Sequence, residues 1–152
     1  MGHPRKTRTL CPICGKLVGN LRSTFCSNIC QNESQYRSFI ERWRLGQEIG
    51  NKSSGRTLQV SSHIRRYLRE KFGDRCTKCG WAERHPTTKR IPLNVEHING
   101  DPFDSSEGNL TLLCPNCHSL TVTFGILNRG RGRTSRHGAV VQREDMRLAV
   151  SE

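Results

Sequence analysis

The chain has little apolar material. Of its 152 residues, 33% are hydrophobic and 6% aromatic, with two Trp, two Tyr and two Met. That cannot fill one large core, because short chains already bury a smaller share of their surface than long ones. One small domain or two smaller ones fit the length better. No run approaches the ~20 apolar residues of a membrane span. Residues 1–6 carry charges with no apolar stretch behind them, so neither an anchor nor a secretory leader is expected. The chain reads as soluble, membrane-free and cytoplasmic. Acids are scarce as well: 13 Asp and Glu stand against 25 Lys and Arg, a formal charge of +12.

What the chain does have is cysteine. Its eight cysteines form four close pairs, Cys11/Cys14, Cys26/Cys30, Cys76/Cys79 and Cys114/Cys117, with none left over. Thiols stay reduced inside most cells, where cysteines at this spacing read as metal ligands rather than disulfides. The pairs make two complete sets of four and predict two structural zinc sites, one on Cys11, Cys14, Cys26 and Cys30, the other on Cys76, Cys79, Cys114 and Cys117. Zinc takes thiolates, so the net charge falls to about +8 when both sites are filled. That remains basic and suits a polyanionic partner. The distribution agrees. Residues 1–56 hold ten Lys and Arg against three acids, residues 125–152 hold six against three, and the middle holds nine against seven. Basic arms flanking a near-neutral centre suit nucleic-acid binding.

The organisation follows from the pairs. Residues 8–46 form an N-terminal zinc unit. Its Cys-Pro-Ile-Cys-Gly knuckle leads into an expected hairpin over 16–25, then a helix starting at Cys26 and Cys30 and ending near Gly46. Tyr36, Phe39, Ile40 and Trp43 give that helix an apolar stripe. Residues 47–57 are polar and rich in Gly and Ser and read as a linker. In the next unit, 58–125, Ser61 or Ser62 caps a helix whose buried face is Ile64, Tyr67, Leu68 and Phe72, and Gly73 ends it. Arg65, Arg66, Arg69 and Lys71 fall on its other, solvated side. Residues 91–98 alternate as a half-buried strand does, Asn99-Gly100 turns the chain, and an acidic loop runs to Gly108. Leu110 to Leu113 form the returning strand, and Pro115 opens a helix expected to reach Phe124. Residues 126–152 form a basic tail whose Gly-Arg tract is expected to be disordered when free.

Chemistry concentrates in Val95-Glu96-His97-Ile98-Asn99-Gly100 and in Asn109 through His118. Hydrolysing a phosphodiester takes a base for water and a cation for the charge that develops on the leaving oxygen. His97 titrates near neutrality and suits the base. Neighbours on a strand point to opposite faces, so Glu96 serves a cation while His97 meets the phosphate from the other side. Cys117 and His118 point ~100° apart on a helix, which lets one bind structural zinc while the other faces the hairpin. Asn109 closes the acidic loop and fixes the backbone beside His97.

These residues resemble the HNH nuclease family, with His97, Asn109 and His118 as the lettered positions. The likeness covers roughly residues 60–125 and includes the Cys76/Cys79 knuckle, as in the zinc-containing branch. It implies a small α+β, ββα-metal (treble-clef) fold and hydrolysis of double-stranded DNA with one divalent cation, Mg2+ or Mn2+. It also implies His97 as general base, Glu96 and His118 as cation ligands and Asn109 as the residue that orients the site. The family often has Asp where this chain has Glu96. The second treble-clef-like unit and the tail, with Arg129, Arg131, Arg133 and Arg136 on DNA, look like the additions of phage-borne or homing endonucleases. The alternative is a non-catalytic zinc nucleic-acid-binding protein or regulator on the same scaffold.

Overall fold

The computed structural model describes residues 7–54 and 57–128. In chain order the elements are helix α1 (Asn28–Arg44), strands β1 (Asn51–Ser54) and β2 (Thr57–Val60), helix α2 (Ser62–Phe72), strands β3 (Asn94–His97) and β4 (Leu110–Leu113), and helix α3 (Pro115–Ser119). Short 3-10 turns cover Glu107–Asn109 and Gly125–Asn128. The strands pair as two antiparallel hairpins, β1 with β2 and β3 with β4. This is a small α+β fold.

Local chemistry sets the helix ends. The Ser27 side chain accepts a hydrogen bond from the Cys30 amide at 3.3 Å and starts α1. Cys26 therefore lies just before the helix instead of on its first turn. Ser61 caps α2 in the same way, and Gly73 ends it in the left-handed conformation. The two knuckles repeat one geometry. Gly15 N–H donates to Cys11 O and Gly80 N–H to Cys76 O, both at 2.9 Å. Both glycines have φ above +70°, which side chains with a Cβ resist.

The principal core contains Tyr36, Ile40 and Trp43 of α1, Val60, Ile64 and Leu68 from β2 and α2, and Leu110 and Leu112 of β4. Ile64 and Leu68 are fully buried, each contributing about 1.5–3 kcal/mol relative to exposure. The apolar stripe of α1 thus packs into one core with α2 and β4. Ion pairs run along the seam: Arg66 meets Glu33 at 2.8 Å and Glu70 at 2.7 Å, with its guanidinium 3.8 Å from the centre of the Tyr36 ring. Arg69 pairs with Asp74, and Lys71 meets Glu107 at 2.7 Å. Three of the four cations expected on the solvated face of α2 are therefore held by acids.

Several expectations change. The stretch 47–57, expected as a linker, carries β1 and the first residue of β2. At its centre a Cβ on Gly50 would lie 2.7 Å from Ser105 Cβ and 2.8 Å from Ile64 Cδ1. The hairpin expected over 16–25 reduces to a Leu10–Leu17 bridge. Residues 91–98 give a strand only from Asn94. Pro92 has no amide to donate, and Leu93 N–H turns back to Ile91 O at 3.0 Å. The last helix stops at Ser119, not Phe124. There the Thr121 hydroxyl and amide both bond His118 O, at 3.0 and 3.2 Å, competing with helical continuation. The tail, with Arg129, Arg131, Arg133 and Arg136, lies outside the described residues.

Candidate active site and zinc centres

Each cysteine set forms a compact cluster in which one sulfur per residue lies within 4.8 Å of the others. A tetrahedral zinc with bonds of ~2.3 Å sets sulfurs about 3.8 Å apart. The separations are 3.4 Å for Cys14–Cys26, 3.6 Å for Cys26–Cys30 and 3.7 Å for Cys79–Cys114. The donor set fits zinc at both places. Its electrostatics agree. The backbone amide of Cys26, helped by those of Cys14 and Ile13, pulls the Cys11 thiol down to about 6 against the cost of burial. Burial opposes ionisation at Cys76 too, but amides of Cys114, Cys79 and Lys78 bring it to about 6. The neighbouring cysteines push the last thiols the other way: Cys26, beside Cys14 and Cys30, and Cys117, beside Cys79, rise to about 12. Four sulfurs packed this closely ionise together only around a cation.

The second cluster joins the Cys76 and Cys79 knuckle to Cys114 and Cys117 at the start of α3. Cys114 caps α3, its sulfur accepting from the Cys117 amide at 3.4 Å. His118, the next residue, points away from the cluster toward β3. Its Nε2 lies 2.9 Å from Glu96 Oε2. The Thr123 hydroxyl donates to the other carboxylate oxygen at 2.6 Å, and the Phe124 ring meets the His118 ring edge-on at 5.2 Å. Glu96, His97, His118 and Thr123 border one cavity of about 250 Å³. His97 shares it with Glu96 because it is the last residue of β3. Past it the chain turns, Gly100 N–H bonding His97 O at 2.9 Å.

The 2.9 Å between Glu96 Oε2 and His118 Nε2 matches the edge between adjacent ligands of an octahedral ion, about 3 Å for bonds of ~2.1 Å. The two groups touch directly as they stand, and their spacing is also one at which they could serve as adjacent ligands of a divalent cation. Among the described residues, groups of three or more metal-ligating side chains occur only at the cysteine clusters. Burial pushes the His97 imidazole below its ordinary value, while Glu96, Asp101 and Asp104 pull it back up. The neutral form, which accepts a proton, is favoured by burial.

Asn109 is buried and bonds on every side. Its Oδ1 accepts from the Asn99 amide at 2.9 Å, and its Nδ2 donates to Asn99 Oδ1 at 2.8 Å and to Asp104 O at 2.7 Å. It holds the acidic loop closed directly after His97. Asp101 and Asp104 serve the same loop. Asp101 Oδ1 accepts from the Phe103 amide at 2.8 Å, and Asp104 Oδ1 from the Ser106 amide at 3.1 Å.

Sequence reasoning missed Thr123, Ser105 and Asn51. Ser105 Oγ stands 3.4 Å from His97 Nε2 and donates to Asn51 Oδ1. Trp43 Nε1 donates to Ser105 O at 2.8 Å. No local signal marks these residues. Ser105 lies in an acidic loop, Asn51 in a Gly- and Ser-rich stretch, and Thr123 past a helix that ends early.

Among curated proteins, the chain is similar to the H-N-H endonuclease F-TflIV of Escherichia phage T5, with 43% identity over 60 residues. The match takes in 38% of this chain and 24% of that protein, so the chain spans about a quarter of the length of the curated relative it matches. No family model matches the chain. No solved structure matches it. No helix among the described residues is long and apolar enough to cross a membrane. Over the matched stretch the chain is similar to an H-N-H endonuclease, and the structure sets beside that likeness two cysteine tetrads suited to zinc and an acid–histidine pair close to a second histidine.

Proposed function

We propose that the protein is a metal-dependent DNA endonuclease. The observation that carries the reading is the convergence of Glu96, His97 and His118 on one cavity, in a chain similar to an H-N-H endonuclease. His97 takes a proton from water, the resulting hydroxide attacks phosphorus, and the bond from phosphorus to the 3′-oxygen breaks. Glu96 and His118 hold a magnesium or manganese ion, which when bound supplies positive charge for the phosphate and the leaving 3′-oxygen. Thr123 keeps the Glu96 carboxylate turned so that one oxygen faces His118. Asn109 fixes the turn after His97. Two zincs, one per cysteine tetrad, staple the chain on either side of its common core, each in a treble-clef arrangement of knuckle, strands and helix. The N-terminal unit and the basic tail, through Arg129, Arg131, Arg133 and Arg136, bind the DNA duplex, as in a phage or homing nuclease.

The test is cleavage of supercoiled plasmid with magnesium or manganese, comparing the parent with His97→Ala at equal zinc content. The parent nicks or linearises the plasmid, and the variant loses at least about 100-fold in rate. Equal cleavage by both would remove His97 from the reaction. Binding without strand breaks, on plasmid and on DNA surrounding the gene, would make the protein a non-catalytic zinc nucleic-acid binder.

A further inference from the structure

The histidine at the cavity is held by a chain of polar contacts that begins in the stretch expected as a linker. Asn51 Nδ2 donates to Pro102 O at 2.8 Å and reaches Phe103 O at 3.4 Å. Those two carbonyls settle which way the carboxamide faces, so its Oδ1 is the atom turned to Ser105. A carboxamide oxygen only accepts, and the hydroxyl of Ser105 has one proton to give. That proton goes to Asn51. What Ser105 Oγ presents to His97 Nε2, 3.4 Å away, is a lone pair.

We infer that Ser105 and Asn51 are positioning residues that set the tautomer of His97, keeping hydrogen on Nε2 and leaving the Nδ1 lone pair to accept the proton of water. In a neutral imidazole one nitrogen donates and the other accepts, and the partner of one decides the role of the other. Contacts of this length in a free enzyme shorten when substrate binds. The serine has little freedom to turn elsewhere. It is 7% exposed, its carbonyl accepts from Trp43 Nε1 at 2.8 Å, and its Cβ lies against Gly50, where an added methyl would stand 2.7 Å away. Trp43 of α1 and Asn51 of β1 thus grip from the N-terminal half the serine that faces His97 Nε2.

The tautomeric arm of the inference stands on the hydrogen-bond polarity, and the kinetic arm rests on the nuclease reading above. The experiment uses the zinc-loaded full chain labelled with 15N-histidine. Long-range 1H–15N spectra of neutral His97 are assigned by loss of its signals in His97→Ala. The parent shows the Nε2–H tautomer. Asn51→Ala frees the Ser105 proton, so His97 shifts toward Nδ1–H and kcat falls about 10- to 100-fold, with KM for DNA within about twofold. Ser105→Ala removes the acceptor and gives mixed tautomers. Asn51→Asp keeps an acceptor for Ser105 but sets its other oxygen against the Pro102 and Phe103 carbonyls, so stability falls while the Nε2–H tautomer returns, a recovery that loss of packing alone does not produce. An Nδ1–H tautomer in the parent overturns the inference. So does a tautomer that stays the same in both alanine variants at parental zinc content. If the parent cuts no DNA, the nuclease reading falls, and the spectra still decide whether Ser105 and Asn51 set His97.

Discussion

Asn109→Ala separates what holds the site together from what reacts in it. The side chain makes three hydrogen bonds, two with Asn99 and one with Asp104 O, from a residue only 8% exposed. A buried hydrogen bond contributes about 1 kcal/mol net, and an orphaned partner adds its own desolvation cost. The substitution should therefore cost about 2–4 kcal/mol, a large part of the ~5–15 kcal/mol that holds a small domain folded. Urea unfolding of zinc-loaded protein reads this as a lower midpoint with an unchanged slope. Asn109→Asp adds a sign. One carboxylate oxygen keeps the bond from the Asn99 amide, while the other faces two acceptors, Asn99 Oδ1 and Asp104 O. The folded state then disfavours the ionised form, and the new carboxyl titrates above its unfolded value of about 3.9. Its deficit is smallest below that value and grows as pH rises toward the folded one. A cost under about 0.5 kcal/mol for Asn109→Ala, or a deficit of Asn109→Asp that shrinks with rising pH, would refute the reasoning.

The opposite pH dependence is expected at Glu107. Hydrogen bonds from Lys71 and Tyr67, joined by Arg44 and opposed by partial burial, bring its carboxyl from 4.5 down to about 2. A depressed carboxyl stabilises the fold fully above its unfolded value and loses that contribution as pH falls through the folded one, here between about 4.5 and about 2. Glu107→Gln should flatten acid unfolding in that window and cost about 1 kcal/mol at neutral pH, a small figure because its cationic partners are solvated. Parallel acid-unfolding curves for variant and parent would contradict this. Metal analysis should find about two zincs per chain, and Cys76→Ser should leave about one. That variant should also lose near-ultraviolet dichroism around Trp81, which packs against the second cluster; two retained zincs would dismiss this ligand set.

The elements whose signals are local were legible in the sequence. The cap at Ser61, the stop at Gly73 and the buried face of α2 need only side-chain spacing, and Leu110–Leu113 appears as expected. The cysteine tetrads were legible because their spacing is itself the signal. Glu96, His97, Asn109 and His118 were legible through a motif, and the structure gathers them around one cavity and the loop beside it. Ser105 and Asn51 were not legible. Their meaning comes from a contact across 54 positions of chain, and polar residues in such stretches are ordinarily solvated. The early end of α3 hides for a related reason. Thr121 is compatible with a helix until its hydroxyl bonds His118 O instead of water.

The burial of Trp43 among residues of α2 and β4 bears on how such a motif travels between proteins. A cassette starting at residue 58 would contain the acid–histidine pair, the second cysteine set and every lettered residue. It would still arrive without the indole that meets Ser105 O, without Asn51, and with the side of α2 that α1 covers opened to water. As text the motif is portable; as a folded body it is not. A recipient chain would have to supply its own apolar helix and its own amide at the acidic loop. Recombination between relatives of this chain should therefore leave crossover points upstream of α1 more often than within 47–57, despite the Gly- and Ser-rich look of that stretch.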